Sequence, residues 1–308
     1  MKKLQKLGFW PAAILIALVI LVLVAVTFRY QGRFAQMAPD NLLGSNGLLG
    51  SQASTTAVVL HLADRSKITL DNLAEFDLAE MVGTASTSFK GSSADRIKNI
   101  TIGASKVNGI IVAPGEEFSL VEAIGYVNEE EGYTQEFVIR EGQSIKEFGG
   151  GLCQLATTMF RAALDAGLPI TERKNHSYVV GYYGPGLDAT IYGPHPDLKF
   201  VNDTQNYLVI AGRVEDDRLV FEIHGQKDGR LATISAPEIT NEINPPVAKF
   251  IPTFELAPGS THCVERGRKG LTARVNYTVT YPTGEVKEKV FNSVYVPWQE
   301  VCYLGMAS

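Results

Sequence analysis

Apolar and polar positions recur along this chain with two periods, and each period marks a different kind of element. Over residues 94–107 the apolar side chains Ile97, Ile100, Ile102 and Val107 read as one face of a helix, with Ser92, Ser93 and Asp95 supplying caps. A second helical stripe runs through Leu152, Leu155, Ala156, Met159, Phe160, Ala163 and Leu164, and Gly167 follows where a C-terminal cap is expected. Residues 70–82 also read as helical, with Asp71 and Asn72 as caps. Shorter runs read as strands at 57–62, 84–90, 110–112, 197–200, 207–213 and 219–224. Residues 137–140 and 143–147 form an expected hairpin around Glu141-Gly142.

Farther on, residues 239–246 (ITNEINPP) read as a linker, and 249–256, 271–281 and 285–296 as strands of a small all-β unit. At the other end, residues 9–28 contain no charged side chain, and about 20 apolar residues cross a bilayer as a helix. Lys2, Lys3 and Lys6 precede the run, which favours a short cytoplasmic segment at 1–8 and an extracytoplasmic remainder. A cleaved signal peptide is the alternative, although no A-x-A site follows the run. Residues 29–83 are expected to hold a Gly-, Ser- and Asn-rich tether and a short folded segment. The expected fold class is α+β: mostly antiparallel strands with a few short helices, then the all-β module, behind one N-terminal transmembrane helix.

Composition changes this picture little. The chain has 308 residues, 45% hydrophobic and 20% charged, which suits about two globular domains. A net charge of −5 gives no reason to expect a nucleic-acid partner. The cysteines add more. There are three, Cys153, Cys263 and Cys302. The last two bracket the small β unit, which at its size needs a staple, and in an oxidising compartment they are expected to pair. Pairing of Cys153 with either partner stays open at this stage. If Cys263 and Cys302 pair, Cys153 is an odd cysteine in an exported protein and therefore a candidate reactive thiol.

Its setting fits that chemistry. Gly149, Gly150 and Gly151 run directly into the helix that holds Cys153 in its first turn. Unpaired N–H groups and a partial positive charge at such a turn favour thiolate over thiol. The alternative is a small buried cysteine on a tight strand-to-helix turn. No Cys-x-x-Cys or His-x-x-x-His spacing occurs and no Walker-type lysine follows the glycines, so no metal or other cofactor is expected.

Several separated stretches resemble the VanW family: STSFKGSSADRIKNI at 86–100, NGIIVAPGEEFS at 108–119, the GGGLCQ run, HSY at His176, the Gly-Pro-Gly-Leu-Asp-Ala-Thr of 184–190, and DLKFVN at 197–202. The resemblance places a VanW-like domain at 84–238. Residues 247–308, with FNSVYVPWQEVCYLG, are similar to the small glycine-containing β module that often follows it. Some members of this family are described as L,D-transpeptidases acting on peptidoglycan through the cysteine of the glycine run. The resemblance thus implies a membrane-anchored cell-wall enzyme with Cys153 as nucleophile and His176 as base, and a possible link to glycopeptide resistance. A non-catalytic peptidoglycan- or glycopeptide-binding accessory protein is the alternative.

Cysteine acyl transfer also needs a group to orient the base and an oxyanion site. Asp188, after the Gly-Pro-Gly bend, is the expected orienting carboxylate, with a turn residue as the other reading. Gly150, Gly151 and the Cys153 N–H are the expected oxyanion donors, with Gln154 as a further donor or a helix cap. Tyr178 and Tyr182 are candidates for lining a peptide groove, and Arg173 and Lys174 for meeting a substrate carboxylate. His195 is the second candidate base.

Overall fold

The computed structural model describes residues 65–140 and 143–307. The expected anchor at 9–28, the tether and the strand at 57–62 lie outside the described residues. Among the described residues no helix is long and apolar enough to cross a membrane.

After a short 3-10 turn at Arg65–Lys67 comes a 3-10 helix at Leu70–Phe76 rather than a helix over 70–82. Asp77, at φ 58°, ends it in the left-handed region, and the chain is already extended three residues later. Thereafter come β1 (Glu80–Ser88), α1 (Ala94–Val107), β2 (Ile110–Val112), β3 (Glu117–Ser119), the one-turn α2 (Leu120–Ile124), β4 (Gln135–Arg140) and β5 (Gln143–Phe148). Then follow α3 (Leu152–Asp165), β6 (Ile170–Glu172), β7 (Lys199–Val201), β8 (Leu208–Glu215) and β9 (Arg218–Gly225). The remainder is all strand: β10 (Leu231–Ile234), β11 (Glu238–Ile243), β12 (Lys249–Thr253), β13 (Thr261–Glu265), β14 (Gly270–Thr280), β15 (Val286–Tyr295) and β16 (Val301–Gly305).

The fold is therefore mostly antiparallel strands with few helices. The principal sheet has the order β1-β9-β8-β2, all antiparallel. Helix α3 lies on it and is buried nearly all round, its polar face included. Its polar residues are satisfied: the Thr157 hydroxyl donates to the Ala189 carbonyl at 3.0 Å, and the hydroxyls of Thr158 and Thr87 share a hydrogen bond of 2.7 Å.

A second sheet, β10-β14-β11 with β15 on β14, packs into the same core. Val275, Tyr277, Val279 and Phe291 join the cluster formed by α3, and Phe291 meets Phe160 edge to face at 5.1 Å. Residues 239–243, the first part of the stretch read from sequence as linker, belong to β11. Its mostly polar, exposed side chains hid the strand, which is fixed instead by backbone pairing with β14. The last sheet is β12-β16-β13, with β12 parallel to β16. Here Cys263 and Cys302 face each other across β13 and β16 and form a disulfide, which leaves Cys153 as the free thiol.

Candidate functional site

The glycine run earns its place through packing. Gly151 is the N-cap of α3 and has φ 111°, a conformation that side chains rarely adopt. A Cβ there would also come within 2.8 Å of Arg96 Nη1. At Gly150 a Cβ would meet the Glu136 backbone at 2.8 Å. The glycines thus let β4 and α1 close on the start of α3.

Cys153 follows on the wall of a cavity of about 1840 Å³. Its sulfur lies 3.1 Å from Thr190 Oγ1 and 3.7 Å from the Ile191 carbonyl oxygen. The Leu152 and Gln154 N–H groups donate to the Gly149 and Gly151 carbonyls. The Cys153 N–H between them makes no such bond in the first turn.

His176 reaches Cys153 from the segment after β6. Its backbone N–H donates to Asp188 Oδ2 at 2.8 Å, and its Nδ1 lies 2.6 Å from the same oxygen. That double grip fixes the ring and leaves the other nitrogen for the thiol. Burial pushes the Cys153 thiol up, but hydrogen bonding to His176 and its positive charge, with help from Thr190 and the Ile191 backbone, bring it down to about 7. Burial disfavours charge on His176 as well, yet its bonds to Asp188 and Cys153 raise it to about 9. Burial also acts against the Asp188 charge, and the imidazole and the Tyr295 phenol outweigh it, holding the carboxyl below its usual range. Thiol, imidazole and carboxylate form one series at the cavity wall, with the ion pair favoured between the two macroscopic values.

A family model described as "VanW like protein" matches residues 95–224, which contain this whole series. Residues 95–224 of this chain thus form a VanW-like domain. It is 31% identical over 169 residues to the uncharacterized protein YoaR of Bacillus subtilis (strain 168), covering 54% of this chain and 56% of that one. It is 27% identical over 139 residues to the vancomycin B-type resistance protein VanW of Enterococcus faecalis (strain ATCC 700802 / V583), covering 43% of this chain and 50% of that one. The chain thus spans about half the length of the curated relatives it matches. Among solved structures, the IgA1 protease G5 domain matches 27% of this chain and all of that chain at 15% identity, with a TM-score of 0.16, too low to carry an argument.

Tyr178 and Tyr182 both line the cavity, as expected, whereas other residues singled out in the sequence have different surroundings. Gln154 is fully buried, and its amide donates to Thr87 Oγ1 at 2.9 Å and to the Ser88 carbonyl at 3.2 Å. It ties α3 to β1 and has no donor left for an oxyanion. Arg173 does not face the cavity. Its side chain is 4% exposed and pairs with Asp188 at 3.2 Å, while donating to the Gly186 carbonyl and to Ser293 Oγ. An arginine beside an acidic bend was legible as a solvated pair or a substrate contact, but burial makes it a brace. Tyr178 packs on Trp298, ring centroids 4.1 Å apart, while the exposed Tyr182 stands at the cavity rim. His195 is exposed and pairs with Glu172, so the second candidate base is committed elsewhere. Of the described residues, Cys263, Glu300 and Cys302 form the one cluster of metal-ligand type, and both sulfurs are in the disulfide.

Sequence reasoning missed Tyr295 and Ser293. Both lie on β15, outside the matched stretch. Tyr295 donates to Asp188 Oδ1 and accepts the Gly186 N–H at 2.7 Å, and Ser293 accepts from Arg173 at 2.8 Å. The available signal was the alternation FNSVY, which puts Phe291, Ser293 and Tyr295 on one face of a strand.

Proposed function

We propose that this protein is a cysteine acyltransferase of the L,D-transpeptidase type, acting on peptidoglycan stem peptides on the extracytoplasmic side of a membrane. The observation that carries the reading is the Cys153–His176–Asp188 series on the cavity wall, with the thiol lowered to about 7 beside an imidazole raised to about 9. A cysteine that served only packing has no need of a charged, oriented histidine. The name of the Enterococcus relative, a vancomycin resistance protein, supports a cell-wall setting. The Cys263–Cys302 disulfide supports an oxidising compartment.

The chemistry follows from the geometry. The Cys153 thiolate attacks the carbonyl carbon of a stem peptide. Charge on the carbonyl oxygen is met by the Cys153 N–H. As the C–N bond breaks, the His176 imidazolium gives its proton to the departing amine, and a thioester remains. An amine of a neighbouring stem then attacks, passes a proton to His176, and Sγ leaves as thiolate. Asp188 keeps Nδ1 bonded throughout, so the proton moves on the other ring nitrogen.

The test is intact-mass spectrometry of the purified chain with disaccharide-tetrapeptide, beside Cys153→Ala. A mass gain on the parent alone, with cross-linked or shortened product, is the expected result. No adduct from a thiol that still alkylates would overturn acyl transfer in favour of a wall-binding accessory role.

A further inference from the structure

We infer that Arg96 docks the free terminal carboxylate of the substrate, so that the bond cleaved is the last peptide bond of the stem. This inference rests on the acyl-transfer reading. Arg96 projects from the first turn of α1 onto the first turn of α3. Its Nη2 donates to Gln154 Oε1 at 2.8 Å and to the Tyr182 hydroxyl at 3.2 Å. Gln154 has both amide hydrogens committed to β1, so its oxygen is left to hold the guanidinium. The Tyr182 ring also lies against it, 5.7 Å from centroid to Arg96 Cζ. Nη1 rests over Gly151, and among the described residues no carboxylate forms an ion pair with this guanidinium.

A half-buried guanidinium braced by neutral groups on a cavity wall is poised for an anion. A planar carboxylate suits its fork of parallel N–H donors. Glu136 on the same wall feels the charge of the guanidinium but is held by other donors. Its carboxylate accepts from the Ser93 hydroxyl and, at 2.8 Å, from the Phe137 N–H. Lys146 and Lys174 line the cavity as well, against Glu136 and Glu147, so with Arg96 the basic side chains outnumber the carboxylates by one.

Position makes the carboxylate terminal. Arg96 touches Gly151 and bonds Gln154, and Cys153 lies between them. That single turn spans about 5.4 Å along the helix axis. One extended residue covers about 3.3–3.6 Å. A carboxylate held at Arg96 therefore belongs to the residue directly after the carbonyl that Cys153 attacks. The leaving group is a single amino acid with a free carboxyl group.

Two measurements test this. The first compares alkylation of Cys153 by iodoacetate, which carries a carboxylate, with alkylation by neutral iodoacetamide. The ratio of the two rates cancels any change in thiolate population. Arg96→Gln is expected to lower the ratio about tenfold at low ionic strength, and salt is expected to shrink the difference. An unchanged ratio overturns the carboxylate site. The second compares acylation by a stem tetrapeptide with acylation by its C-terminal carboxamide. The parent protein is expected to prefer the free acid at least about tenfold, and Arg96→Gln to lose the preference. Equal acylation by both overturns the inference and leaves acyl transfer standing. Absence of any adduct with either peptide removes acyl transfer, and the iodoacetate ratio still judges Arg96.

Discussion

Tyr295 hydrogen-bonds to Asp188 from a strand that lies 107 residues further along the chain, and both residues are almost fully buried. The phenol holds the carboxylate oxygen that His176 does not use, and the Gly186 N–H holds the phenol. Tyr295→Phe keeps the ring and removes both bonds. The expected cost is about 1–2 kcal/mol of stability for two buried hydrogen bonds. The iodoacetamide rate at pH 7 should fall a few-fold as the Asp188–His176 pair loses its brace. A melt that shifts while the alkylation profile stays fixed would show Tyr295 to be structural alone.

The pH dependence of Cys153 has a definite sign. The thiolate forms as pH rises through about 7, and His176 stays protonated until about 9. Acylation needs both forms, so its rate should be bell-shaped, with limbs near those values. His176→Ala removes the cation and the bond and leaves burial, so the alkylation midpoint should move up by at least about one unit. A midpoint that stays near 7 would show that His176 does not activate the thiol.

Gly151→Ala combines a left-handed backbone with a collision at Arg96, whereas Gly91, at φ 78°, has open space where a Cβ would lie. Gly91→Ala should cost about 1–2 kcal/mol for backbone strain alone. Gly151→Ala should cost more and should also slow alkylation, since it displaces the first turn of α3. Thermal melts of the two variants, run side by side, check the ordering.

Reduction of the Cys263–Cys302 bridge opens a loop with a sequence separation of 39. In the chain-entropy picture such a loop is worth about 3–4 kcal/mol. The double variant Cys263→Ser/Cys302→Ser should therefore melt well below the parent, and added reductant should lower the parent's Tm toward it. Insensitivity of Tm to reductant would show that β12, β13 and β16 hold without the staple.

Much of this arrangement was legible in the residues. The periodicity around Leu155 and Met159 located α3 within one residue at its start, and the cysteine count foresaw the pairing that leaves Cys153 free. His176 was named through the VanW resemblance, and Asp188 by asking what would orient such a base. What was lost depended on partners distant in sequence. Arg173 and Gln154 carry polar groups that usually signal exposure, and only tertiary burial turns them into braces. Residues 70–82 carried a mixed pattern, and pairing of β1 with β9 decided its second half. Nothing local to β15 announces that Ser293 and Tyr295 serve a loop on the other side of the core.

The β14–β15 hairpin sets Leu271 against Tyr295 and Ala273 against Ser293, with Phe291, Ser293 and Tyr295 turned inward. A slip of one residue would send all three outward and offer Asn292 and Val294 in their place. The timing of synthesis gives that register a second meaning. A chain emerging from its N-terminal end has made Cys153, His176 and Asp188 long before β15 exists. The bonds from Tyr295 to Asp188 and from Arg173 to Ser293 can form only once that late hairpin is in register, so the candidate site is the last part of the domain to be completed.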